Sequence, residues 1–199
     1  MPATPIARAS HPFPGAMRAI HWATALLMVA VVVLAWIIPR GPGNGGILLL
    51  LHESVGLSIL ALAALRVIVR NASRLPPEDG GLQWIETATS RAVHILLYVI
   101  LFVMPLSGYL SSAARGHSVS VFGLFDIPPL VPVSKALRTV AWAVHENGQV
   151  AVYAVVGLHV AAALFHLLVR RDGVMARMWP GASRFTLTAR SASAHPAAE

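Results

Sequence analysis

One stretch near the carboxyl end, residues 144–169, reads VHENGQVAVYAVVGLHVAAALFHLLV and carries histidines at positions 145 and 159. A helix with a rise of about 1.5 Å per residue places these two imidazoles about 21 Å apart, most of the hydrocarbon thickness of a bilayer. Fourteen steps of about 100° also bring the second side chain back to within roughly 40° of the first, so both leave one helix face. A histidine inside an apolar span is energetically costly and indicates a functional site. The pair therefore predicts two cofactors stacked across a membrane.

The composition is that of an integral membrane protein. Of 199 residues, 56% are hydrophobic and only 12% are charged, whereas a soluble domain carries about 25% charged residues. The net charge of +7 is not arranged as a basic stripe with interleaved aromatic residues, so nucleic acid is not an expected partner. The chain has no cysteine, which excludes thiolate-held iron–sulfur clusters, covalent haem attachment and disulfides. A redox centre must therefore be held by histidine, methionine or noncovalent packing.

Four apolar runs are long enough to cross a bilayer, which predicts an all-α, four-helix transmembrane bundle embedded in membrane lipid. The predicted spans cover residues 19–38, 47–69, 92–112 and 144–169, and the third tolerates Pro105 as a kink. We expect residues 1–17 to be a disordered leader, residues 18–181 to form the membrane domain, and residues 182–199 to be a disordered tail. Arg8 and Arg18 resemble the start of a signal peptide, but the first run is too long for one, so it is predicted to be a retained span.

The connections between the spans have two notable features. Residues 83–89 are predicted to form a short surface helix, and residues 113–143 form the longest connection. The segment FGLFDIPPLVPV, residues 122–133, is apolar but broken by three prolines, so it is predicted to lie on the membrane surface. The tryptophans fall near span ends, as in an interfacial aromatic belt; they are Trp22, Trp36, Trp84, Trp142 and Trp179.

The basic residues predict the orientation, because cytoplasmic segments of membrane proteins carry an excess of Lys and Arg. Eleven of the fifteen lie at the amino end, in the second loop or at the carboxyl end: Arg8, Arg18, Arg66, Arg70, Arg74, Arg91, Arg170, Arg171, Arg177, Arg184 and Arg190. The other four lie in the first and third loops: Arg40, Arg115, Lys135 and Arg138. Both termini are therefore predicted to be cytoplasmic, in a multi-pass membrane protein with four spans.

This topology pairs four histidines by depth. His52 and His145 share the outer depth, and His21 and His159 share the inner depth. Two neutral imidazoles with no thiolate fit the axial positions of a b-type haem iron better than zinc, which requires further ligands in a tetrahedral set. Gly56 and Gly157 lie close in sequence to His52 and His159, and a missing side chain there allows a flat macrocycle to approach the backbone; small residues also serve ordinary helix packing. We therefore predict two haems b.

Three residues at the cytoplasmic depth are further candidates. His94 opens the third span three residues after Arg91, and His166 follows His159 by seven residues. All three are predicted quinone contacts; for His94 and His166 a haem-propionate contact is also open, with helix capping or lipid-headgroup contact as the alternative. His11, His117 and His195 lie in loops or tails and are assigned no role.

Several segments resemble the bacterial cytochrome b561 family. They are RAIHWATALL from Arg18, HESVGLSILALAALRVIVR from His52, HILLYVILFVMPLSGYL from His94, VFGLFDIPPL from Val121, HENGQVAVYAVVGLHVAAALFH from His145, and RRDGVMARMWPG from Arg170. The family is similar to the cytochrome b subunits of nickel–iron hydrogenases and formate dehydrogenases. The resemblance implies a four-helix bundle with two haems b, held by His21 with His159 and by His52 with His145. Many relatives have a second histidine directly after the position of His166, where this chain has Leu167.

The resemblance also implies a function in carrying single electrons across or within the membrane, to or from ubiquinone or another quinone. Some similar proteins are superoxide oxidases, and Arg115, Lys135 and Arg138 are candidates for an outer basic funnel that attracts superoxide; ordinary surface charge or lipid contact is the alternative. Two other functions stay open. One is a membrane anchor for a partner dehydrogenase or hydrogenase, and the other is a haem-free transporter or sensor whose histidines relay protons.

Overall fold

A computed structural model of the protein describes residues 12–39, 46–73 and 84–180. Within these ranges the chain forms four long helices: α1 Gly15–Ile37, α2 Gly46–Ala72, α3 Trp84–Ala113 and α4 Lys135–Phe165. Helix α4 continues into a π-helical turn, His166–Arg170, and a short 3-10 helix follows at Met175–Met178. All four long helices are apolar enough to cross a bilayer, so the predicted four-span, all-helical membrane architecture is confirmed.

Several predictions concern residues outside those ranges. They include the charges Arg8, Arg40, Arg74, Arg184 and Arg190, the histidines His11 and His195, leader residues 1–11, and the tail 182–199. At the amino end, α1 already begins at Gly15, and Met17 is fully buried. Ordered structure therefore starts before residue 18, where the membrane domain was predicted to start.

Helices α3 and α4 begin about two turns earlier than the apolar runs indicate. Residues 84–89 are the first turns of α3 rather than a separate surface helix, while Gln83 lies outside the described residues. Helix α4 begins at Lys135, where the Ser134 hydroxyl accepts the Leu137 N–H at 3.2 Å as an amino-terminal cap. Hydropathy marks only the part of a helix that lies in hydrocarbon, so both helices extend beyond their predicted spans.

The bundle is built from neighbouring helix pairs: α1 packs along α2, α2 against α3, and α3 along α4. Its apolar core is formed by Val55, Ile59 and Ala63 of α2 with Leu101 of α3. Large apolar side chains on the outside, such as Leu26, Ile68 and Val150, are exposed, as expected for a surface in contact with lipid. Only Ala141 and Val152 of α4 are buried, so α4 leaves more of its surface exposed than the other three helices do.

A β-hairpin covers one end of the bundle, and the sequence did not predict it. Strand β1, Val119–Val121, pairs antiparallel with β2, Phe125–Ile127, around a turn in which Phe122 and Gly123 both have positive φ. The fully buried Ser54 of α2 accepts the Phe122 N–H at 2.8 Å. These contacts hold the apolar, proline-broken segment against the helix that carries His52. We call this the hairpin-side end.

The opposite end, called the terminal-side end, is closed by the segment after α4. Trp22 of α1 donates to the Met178 carbonyl at 2.9 Å, and Arg18 donates to the Trp179 carbonyl at 2.8 Å. The Phe13 N–H bonds the Arg177 carbonyl at 3.1 Å. These hydrogen bonds tie the first turns of α1 to the chain segment that follows α4, next to His21.

Candidate functional site

The structure brings together the two histidine pairs that topology predicted. At the hairpin-side end, the ring centres of His52 on α2 and His145 on α4 are 6.0 Å apart, with an interplanar angle of 86°. At the terminal-side end, those of His21 on α1 and His159 on α4 are 6.2 Å apart, at 82°. We call these pairs the hairpin-side tier and the terminal-side tier. Each joins two helices that are not adjacent in sequence.

The separation of the rings matches what two axial imidazoles require. An imidazole nitrogen binds a transition metal at about 2 Å and its ring centre lies about 1 Å farther back, so two imidazoles on opposite sides of one ion have centres about 6 Å apart. Among the described residues, no group of three or more His, Asp or Glu side chains is arranged to hold a metal ion. The donor sets thus fit two-histidine ligation of a haem iron and do not fit a tetrahedral zinc site.

His145 is held in the tautomer that a metal ligand needs. Its Nδ1 lies 2.9 Å from the carbonyl oxygen of Met104 on α3, and a carbonyl can only accept, so Nδ1 carries the proton. The lone pair is therefore on Nε2, as in histidines whose second nitrogen is fixed by a backbone carbonyl. Gly108 of α3 makes this approach possible, because a Cβ there would lie 3.0 Å from His145 Cε1.

The partner of His145 is less constrained. Nδ1 of His52 is buried without a hydrogen-bond partner, although the Val31 backbone lies near the ring. A Cβ added at Gly56, one turn after His52, would meet nothing within 4 Å, and the same holds at Gly157 beside His159. A side chain could therefore be accommodated at either glycine, and their role as haem walls stays a prediction.

The terminal-side tier contains more than the predicted pair. The ring centres of His94 and His159 are 5.5 Å apart, which is less than the 6.2 Å between those of His21 and His159. His94 Nδ1 bonds the Ser90 carbonyl at 2.7 Å, so its Nε2 also has a free lone pair. Arg66 of α2 places Nη1 2.9 Å from Nδ1 of His21. Arg66 was predicted only to influence topology, although a charged residue within an apolar run is itself an indication of a functional site.

The other tentative contact, His166, lies in a separate cluster of charges. In the π-helical turn its Nδ1 contacts Asp172 Oδ2 at 2.6 Å, Arg170 lies 3.7 Å from the same oxygen, and Arg170 also pairs with Glu86 of α3. Partial burial alone would raise the pKa of the Asp172 carboxyl, but the hydrogen bonds from His166 and the Val174 N–H and the nearby positive charge lower it overall. Arg91 is exposed on α3, one turn before His94.

The three cations proposed for the outer funnel lie where α3 ends and α4 begins. The Ser134 N–H donates to the Ala114 carbonyl at 3.0 Å, which brings Arg115 and Lys135 next to one another in the fold. Arg138 lies one turn into α4, and all three side chains are exposed. The Ser112 hydroxyl links Arg115, at 3.5 Å, to Glu53, at 2.9 Å, so the cationic surface is connected to the residue after His52.

Comparisons with known proteins agree on one family. The family profile described as prokaryotic cytochrome b561 matches residues 12–181. Cytochrome b561 homolog 2 of Escherichia coli (strain K12) is 30% identical over 163 residues, covering 80% of this chain and 87% of the relative. Cytochrome b561 homolog 1 of the same organism is 29% identical over 170 residues, covering 81% and 93%. A Yersinia pestis protein named probable superoxide oxidase CybB is 29% identical over 166 residues, covering 81% and 92%.

Proposed function

The chain belongs to the prokaryotic cytochrome b561 family of membrane electron-transport proteins, and we propose that it is a di-haem electron carrier of the bacterial inner membrane. The observation that carries this proposal is the pair of histidine tiers, each with ring centres about 6 Å apart. His21 and His159 would hold one haem b, and His52 and His145 the other. A b-type haem supplies a one-electron iron couple at each site.

The residues of this chain set the conditions for that couple. The Met104 carbonyl fixes the tautomer and orientation of His145. Helix α4 keeps its two histidines fourteen residues apart, about 21 Å along the axis. The apolar helices exclude water and the hairpin covers the hairpin-side tier, so ligation, separation and local dielectric are all set by the fold. The basic residues support cytoplasmic termini, which would place the terminal-side tier toward the cytoplasm.

Quinone is the proposed electron acceptor at the terminal side, because it is membrane-soluble and takes electrons singly. Arg91, His94 and His166 are its proposed contacts. His94 packs against His159, which supports a position close to the terminal-side haem. His166 is held by Asp172, and the hydrogen bond from its Nδ1 leaves Nε2 available to a quinone oxygen.

Superoxide is the proposed donor at the hairpin side. The grouping of Arg115, Lys135 and Arg138 beside the amino terminus of α4 concentrates positive charge and a favourable helix dipole at one mouth of the bundle. One relative is named a probable superoxide oxidase. Two superoxide anions would each lose one electron to give O₂, and ubiquinone would take the two electrons with two protons to give ubiquinol.

The decisive experiment is a reduced-minus-oxidised spectrum with haem stoichiometry on purified protein. We expect b-type α-bands and two haems per chain. His159→Ala should lose the terminal-side haem and halve the content, whereas His117→Ala, on an exposed loop histidine, should keep both. A colourless protein, or full content in His159→Ala, would contradict the proposed ligand pairs. Superoxide-dependent quinone reduction by the purified protein would favour the self-contained enzyme, and copurification of a large soluble subunit would favour a membrane anchor.

A further inference from the structure

Arg66 occupies the position on α2 that corresponds to a ligand position on α4. It follows His52 by fourteen residues, as His159 follows His145. The same spacing on two helices returns each side chain to nearly the same face, about 21 Å further along. Helix α2 therefore carries a histidine in the hairpin-side tier and an arginine in the terminal-side tier. The Nη1 atom of Arg66 contacts Nδ1 of His21 at 2.9 Å.

In the part of the chain that the structure describes, this arginine has no acidic partner. Among the described residues, no carboxylate lies within ion-pair distance of Arg66: Glu86 pairs with Arg170, Asp172 lies between His166 and Arg170, and Glu53 bonds Ser112 near the other tier. Its Nε is buried without a hydrogen-bond partner. A guanidinium with a buried nitrogen inside a membrane bundle is costly unless an anion or strong acceptor neutralises it. Among the described residues, the terminal-side tier therefore contains a positive charge that no carboxylate neutralises.

The contact between Arg66 and His21 is incompatible with the proposed ligation. A guanidinium only donates, so Nδ1 of His21 is the acceptor in this arrangement. A neutral imidazole that binds iron through Nε2 carries its proton on Nδ1 and has no lone pair there. When His21 binds iron, Arg66 must therefore turn to another acceptor. A b-type haem brings two carboxylates, and the planar guanidinium fork matches a carboxylate in two parallel hydrogen bonds.

We propose that Arg66 binds a propionate of the terminal-side haem, with His21 Nδ1 taking the place of that carboxylate in the structure described here. This inference rests on the proposed function, because it requires a haem between His21 and His159. Arg66 then anchors one edge of the macrocycle on α2, while the axial ligands come from α1 and α4. The terminal-side haem is thereby held by three helices.

The test pairs a protein variant with a cofactor variant. Apoprotein carrying His52→Ala, which keeps only the terminal-side site, is titrated with haem and with haem dimethyl ester, which lacks free carboxylates. Arg66→Gln should weaken haem binding about 10- to 100-fold and leave the affinity for the ester unchanged. Arg70→Gln, one turn further along α2 and exposed, is the matched control and should change neither affinity.

A second readout uses the protein with both haems. Removal of the Arg66 charge leaves the propionate unneutralised, and the remaining negative charge favours ferric iron. Arg66→Gln should therefore lower the midpoint potential of the terminal-side haem and leave the midpoint potential of the other haem unchanged. Arg66→Lys keeps the charge and should give a smaller shift in midpoint potential. If Arg66→Gln does not fold, Arg66→Lys takes its place in the haem titration. Equal weakening of haem and ester, or two unshifted potentials, overturns this inference alone. A wild-type protein without b-type haem overturns the proposed function itself.

Discussion

Gly108→Ala is expected to disturb the hairpin-side tier selectively. The added Cβ would lie 3.0 Å from Cε1 and 3.2 Å from Nδ1 of His145, closer than the optimal contact of about 3.5–4.0 Å between carbon atoms. The His145 ring cannot easily withdraw, because its Nδ1 is hydrogen-bonded to the carbonyl of Met104, which lies on α3 one turn before Gly108. Relief therefore requires the ring to give up that hydrogen bond or α3 and α4 to move apart.

The magnitude follows from two opposing effects. Overpacking in a close-packed site costs about 1–3 kcal/mol, and replacing a mid-helix glycine by alanine recovers about 1 kcal/mol. The net change in the free energy of unfolding should thus be about 0–2 kcal/mol. The haem affinity of this tier should fall more clearly, by about 10- to 100-fold, because groups that orient a metal ligand typically contribute that much.

The assay is haem content after dialysis, together with thermal unfolding. Gly108→Ala should fall from two haems per chain toward one. Leu106→Ala is the matched control: it lies on α3 two residues before Gly108, and its side chain is exposed, so it should keep both haems. Retention of both haems by Gly108→Ala through dialysis, or equal loss of haem from both tiers, would contradict this prediction.

Three further predictions concern the surroundings of the tiers. Lys135→Glu with Arg138→Glu should slow the reaction with superoxide and flatten its dependence on ionic strength; an unchanged rate would remove the funnel. Ser54→Ala leaves the Phe122 N–H unpaired and should destabilise the hairpin by about 1–3 kcal/mol, measured as faster amide exchange at Phe122; unaltered exchange would show that this bond does not hold the hairpin. The lowered pKa of Asp172 means that its bonds stabilise the fold above the ordinary pKa of 3.8 and are lost as the pH falls through the lowered value. Asp172→Asn should therefore be less stable at neutral pH, and its unfolding temperature should fall less than that of the wild type as the pH is lowered. An unchanged dependence of the unfolding temperature on acid pH would contradict this prediction.

The helices themselves were predictable to within their ends. Apolar runs located four spans because hydrocarbon thickness sets a minimum length for a spanning helix. They did not locate the beginning of α4, which depends on the Ser134 cap, or the first turns of α3, which lie outside the apolar part. The hairpin was missed because its strands are three residues each, too short for a periodic pattern, and its position depends on contacts with other helices, among them the buried hydroxyl of Ser54 on α2.

The pairing of histidines by depth needed only the sequence, since a fourteen-residue spacing is a property of one helix and topology fixes depth. The neighbours of those histidines needed the tertiary structure. The Met104 carbonyl behind His145, the close approach at Gly108, the contact of Arg66 with His21 and the third ring of His94 all join different helices. They depend on how each helix is rotated and how closely it packs, and side-chain spacing along one chain segment carries no information about either. Local geometry therefore determined which residues share a level of the membrane, and packing between helices decided which atoms meet there.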